Sequence, residues 1–74
     1  MPERTDWEAK ARGLLRSEMT KRNITYSQLA ESMESIGVHE DERNLRNKVS
    51  RGKFTAAFML QCLAAMECSA LRLD

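Results

Sequence analysis

Apolar residues recur along the chain at the three- and four-residue steps that place side chains on one face of an α-helix. The first stripe is Trp7, Ala11, Leu14, Leu15 and Met19. The second is Tyr26, Leu29, Ala30, Met33 and Ile36. The third has only Leu45 and Val49, one turn apart. The fourth is Phe58, Leu63 and Met66, with Cys62 and Met59 at its margins, in the segment AAFMLQCLAAME, which is apolar over most of its circumference. Capping residues set the boundaries. Thr5 with Glu8, and Thr25 with Gln28, have the spacing of capping boxes, and Ile24 stands where a hydrophobic staple would. Thr55 suits the start of the fourth segment. Gly37 and Gly52 stop the second and third, because a residue without Cβ accepts the left-handed conformation that ends a helix. The pattern predicts helices over about 6–22, 26–36, 41–51 and 56–67. The fold class is therefore all-α: one small domain of four main helices, with a loose tail at Met1–Arg4. A short extended C-terminal tail follows, in which Leu71, Arg72, Leu73 and Asp74 alternate in a faintly strand-like way. Trp7 is expected to anchor the first helix in the core, Val38 to point inward, and Gly13 to permit close approach of another helix.

Seventy-four residues suffice for one modest core. No apolar run is long enough to span a membrane, and MPERTDWEAK has no signal-peptide character. Cys62 and Cys68 would lie on roughly the same side of a helix but too far apart to bond, and are expected as reduced thiols in a cytoplasmic protein. The net charge is only +1, yet its placement is uneven. Residues 1–36 carry six basic and six acidic side chains, whereas residues 43–53 carry five basic ones and no acid. Glu40, Asp41 and Glu42 precede that run, where a helix N-terminus favours negative charge.

Catalysis finds little to work with: no paired carboxylates in an evident cleft, no HExxH, no CxxC and no phosphate-binding glycine loop. His39 has no companion histidine or thiol nearby and reads as a turn residue. No enzyme activity, metal or cofactor is expected.

The third helix is different. With Leu45 and Val49 turned inward, Arg43, Asn47, Ser50 and Arg51 face outward, flanked by Asn44 and Lys48 on one side and Arg46 on the other. Arginine matches guanine and asparagine matches adenine through paired hydrogen bonds. Contacts of a helix in the major groove concentrate towards its N-terminal half. Arg43, Asn44 and Asn47, then Lys48, are the expected base readers. Arg51 and Lys53 at the far end, and Thr25 and Gln28 at the start of the second helix, suit phosphate.

The pattern TYSQLAESM followed by LRNKVSRGKFTAAFMLQCLAAM resembles the helix-turn-helix domain of the phage-repressor-like class. Leu29-Ala30 stand for its Leu-Ala pair before the turn, Arg51-Gly52-Lys53 for the end of its recognition helix, and the segment after Thr55 for the apolar helix that follows. The resemblance implies base reading by Arg43, Asn44 and Lys48. Two departures are visible: SMESIGVHEDERN lengthens the turn, and the usual last helices are compressed into one helix and a tail. From WEAKARGLL through NLRNKVSRGKF, over about residues 7–73, the chain is also similar to a family of short bacterial proteins of uncharacterised function. The expected function is binding of double-stranded DNA by a transcriptional regulator or accessory factor. The alternative is a protein-interaction module or a small self-associating structural domain. A homodimer through helix 56–67 and the C-terminal tail would give so small a reader useful affinity.

Overall fold

The structure is a computed structural model and describes residues 6–73. It is all-helical, with no strand among those residues: α1 is Asp6–Lys21, α2 Tyr26–Ser35, α3 Glu42–Arg51 and α4 Ala56–Ala65. Thr5, the tail Met1–Arg4 and Asp74 lie outside the described residues, and with them the first proposed capping box. After α4 the backbone has a turn and then no regular structure, so the strand-like alternation at the C-terminus forms no strand.

Local chemistry accounts for each boundary. Thr25 caps α2: its hydroxyl oxygen accepts from Gln28 N at 3.1 Å, and Gln28 Oε1 accepts from Thr25 N at 2.9 Å. Asp41 caps α3 by accepting from Asn44 N at 2.8 Å, and Thr55 caps α4 by accepting from Phe58 N at 3.0 Å. Three helices close in the same way. Ile24 N reaches Met19 O, Val38 N reaches Met33 O and Cys68 N reaches Leu63 O, each at 2.9 Å, over a left-handed residue: Asn23, Gly37 and Glu67. These six-to-one closures make Arg22, Ile36 and Met66 caps rather than helix interior, so α1, α2 and α4 end one or two residues earlier than the apolar periodicity suggests.

The core is Leu15 and Met19 of α1, Leu29 and Met33 of α2, Leu45 and Val49 of α3, and Phe58, Cys62 and Leu63 of α4 with Met66. The helices α1 and α2 each pack against both α3 and α4. Val38 packs on this core from the linker, as does Leu71 from the C-terminal segment. Cys62 is fully buried, not marginal.

Three expectations fail. Trp7 is 78% exposed, because it lies about 80° around α1 from Leu15, off the face that meets the core. Ile36 is 47% exposed, since the chain leaves the helical path at that cap. Gly13 has open space around it. The close approach is made instead by Gly52, where a Cβ would collide with the backbone carbonyl of Glu8 in α1. Gly52 also takes φ +72°, so one glycine both ends α3 and seats that end against α1.

A polar clasp ties the end of α1 to the end of α4. Glu18 is buried, with its carboxylate accepting from Arg22 Nη1 at 2.5 Å and Lys21 Nζ at 3.2 Å. Arg22 Nε donates to Met66 O at 3.1 Å.

Candidate nucleic-acid interface

Helix α3 holds to the body by two side chains, Leu45 and Val49, both fully buried. Everything else on it is polar. Its centre line away from the core is the ridge Arg43, Asn47 and Arg51, at steps of four residues, with Asn44 beside it; all four side chains are exposed. Among the described residues none of these four side chains makes a hydrogen bond or ion pair, and neither does Lys53. The backbone N–H of Asn44 is taken by the Asp41 cap, which leaves its amide group outside.

The two flanking cations behave differently. Arg46 pairs with Glu42 at 2.8 Å and its guanidinium lies 5.3 Å from the centre of the Tyr26 ring on α2. Lys48 pairs with Glu40 at 2.6 Å and its ammonium lies 5.1 Å from the centre of the Phe58 ring on α4. One cation on each shoulder is thus folded back over an aromatic ring of a neighbouring helix. Cation–ring contacts at exposed sites contribute about 0.5–1 kcal/mol each. The pair braces α3 in the position that two small apolar contacts alone would hold loosely.

The expected base readers Arg43, Asn44 and Asn47 therefore share one open surface. Lys48 is exposed beside them, with its ammonium paired to Glu40 and lying over the Phe58 ring. Of the expected phosphate ligands, Arg51 and Lys53 lie at the open C-terminal end of α3. Thr25 and Gln28 are exposed at the start of α2, where the oxygens of their side chains close the capping box and the Gln28 NH2 is left over. Beside Thr25 is a recess of about 470 Å³ whose lining includes Arg16, Thr20, Tyr26 and Arg46. It adds a basic residue of α1 to the same side.

Residues 7–71 match the family described as a domain of unknown function, DUF6471. The chain belongs to that family. No curated protein and no solved structure matches it.

Sequence reasoning missed the two shoulder braces. Glu42–Arg46 was legible as a four-residue helical pair. Glu40–Lys48 was not, because Glu40 lies in the linker and reaches Lys48 only once the chain has turned. Burial pushes the Cys62 thiol up to about 12, with Glu40 adding to the effect and Lys48 opposing it. His39 is exposed in the linker. Among the described residues no group of three or more His, Cys, Asp or Glu side chains is placed to hold a metal ion. No helix of the described residues is long and apolar enough to cross a membrane.

Proposed function

We propose that this protein binds double-stranded DNA, with α3 as the helix presented to the major groove in the manner of repressor-like helix-turn-helix domains. The observation that carries the reading is the sorting of donors on α3. Its shoulder cations are tied to neighbouring rings and carboxylates, while Arg43, Asn44, Asn47 and Arg51 along the outward ridge have no partner within the described residues. In this reading Arg43, Asn44 and Asn47 read base edges. Arg51, Lys53, Thr25, Gln28 and Arg16 hold phosphates on either side. Lys48 serves as a brace and joins the readers only if Glu40 releases it.

The test is a titration of labelled duplex across a salt series, followed by selection of preferred sequences from a random pool. Phosphate contacts make affinity fall steeply as salt rises. Arg43→Ala should change the selected motif, and Lys53→Ala should weaken all duplexes alike while lowering the salt slope by about one. No duplex binding in dilute salt overturns the proposal; an unchanged motif with Arg43→Ala removes that residue from the readers. The net charge of +1 favours a second reading, in which the same ridge docks on an acidic protein surface. Absence of DNA affinity together with capture of a specific acidic partner would support it.

A further inference from the structure

A second feature lies away from α3. Trp7, the sole tryptophan, is 78% exposed, and Leu73 is 63% exposed. Both line an apolar recess of about 270 Å³ between α1, α4 and the C-terminal segment, floored by Ala11, Leu14, Met59 and Leu71. Lys10 is the one charged residue in the lining. Leu60, also 66% exposed, is not part of that lining.

We infer that this recess is the docking surface for a second copy of this chain, in a two-fold arrangement that lays Trp7 of each protomer into the recess of the other. Three observations favour that occupant. First, the surface has a ridge and a hollow side by side, an indole next to a recess of about the size of one large side chain. A two-fold interface needs this self-complementarity, because the same patch must serve both sides. Second, the area is of the right order. Trp7 and Leu73 together leave roughly 300 Å² of apolar side chain in water, and half-buried Leu14, Met59 and Leu71 add to it. A standard interface takes about 800 Å² per partner, of which about two-thirds is apolar at its core. Third, the lining is apolar apart from Lys10, so a charged partner finds little there to pair with. The recess holds no carboxylate among its lining residues, so a cationic partner has nothing there to pair with.

Because the chain has one indole, its emission reports the interface directly. The experiment follows the full chain by sedimentation equilibrium and tryptophan emission from low micromolar to millimolar concentration, without nucleic acid, so it is independent of the DNA-binding reading. The expected result is a twofold rise in mass accompanied, over the same concentrations, by a blue shift of the emission. Leu73→Glu, at a position already open to water, should hold the mass at that of the monomer and keep the emission red, with the melting temperature at the lowest concentration unchanged. Trp7→Ala, followed by sedimentation alone, should also stay monomeric. Monomer mass throughout with red emission overturns the inference. So does blue emission at monomer mass, which would mean the chain covers its own indole. Dimerisation of Leu73→Glu as tight as that of the parent would place the interface elsewhere and overturn it as well.

Discussion

A glutamate with 8% of its side chain exposed needs partners for its charge, and Glu18 has two cations within hydrogen-bond reach. Arg22 first, then Lys21, hold its carboxyl below the ordinary value of 4.5, against the opposing effect of burial. The same contact with Glu18 raises the Arg22 guanidinium. Because the folded-state value of Glu18 is depressed, the unfolded chain binds the proton more readily. The stabilisation is present above about pH 4.5 and is lost as pH falls through the folded-state value. Urea unfolding from pH 7 downward should show the parent losing its advantage in that acid window. Glu18→Gln should have a lower midpoint at pH 7, and the gap from the parent should narrow as pH drops. A gap that is constant with pH would mean the clasp acts through shape rather than charge. The four-residue spacing of Glu18 and Arg22 is visible in the sequence. That Arg22 also reaches Met66 O is not, because those residues are 44 positions apart and meet only through packing.

Helix ends in this chain are a graded series in the left-handed conformation. Asn23, Gly37, Gly52 and Glu67 take φ values of 56°, 88°, 72° and 58°. Gly37 stands in open space, so Gly37→Ala should cost only the conformational penalty, about 1–2 kcal/mol. Gly52→Ala meets the same penalty and also drives a Cβ into the Glu8 carbonyl, so it should cost more, about 3 kcal/mol or above. Glu67→Gly should act the other way and stabilise by up to about 1 kcal/mol, since the native residue is the strained one. Thermal or urea melts of the three variants check the order, and equal losses for Gly37→Ala and Gly52→Ala would refute the close approach of α3 to α1. The glycine stops at 37 and 52 were legible from the sequence because they follow apolar periods directly. Glu67 was not, since nothing in its side chain advertises a left-handed residue. The same holds for α3: its two inward residues and its outward ridge follow from a helical projection. The capture of Lys48 by Glu40 and Phe58 depends on where the linker and α4 come to rest.

Across the whole molecule, the buried residues came largely from the apolar stripes, yet the stripes assigned Trp7 to the interior and Cys62 to the margin. Periodicity locates a face but not how far round the helix the neighbours reach, and near the start of α1 the neighbours stop short of Trp7. At Cys62 the reverse happens, with α4 covered on that side. The two cysteines therefore sample different depths of the same body. Cys62 is fully buried with its thiol pushed up to about 12, whereas Cys68 is half-buried just past the end of α4. Thiol reagents attack the thiolate, so Cys62 must be uncovered before it reacts, and uncovering it means separating α4 from the core. Labelling at pH 8 should proceed in two phases of one thiol each. The fast phase is Cys68 and should change little with modest urea. The slow phase is Cys62. With a stability margin of about 3–5 kcal/mol, usual for so small a core, it should be at least ~100-fold slower and should accelerate with urea in step with global unfolding. Raising the pH adds a signed consequence. The folded-state thiol of Cys62 is raised above its ordinary value of 9.0, so its contribution to stability is complete below that value and is lost between it and about 12. A Cys62→Ala variant should lose less stability than the parent across that alkaline range. Single-phase labelling of both thiols would show instead that α4 opens as readily as the segment after it, and would remove the picture of α4 as a fixed wall of the core.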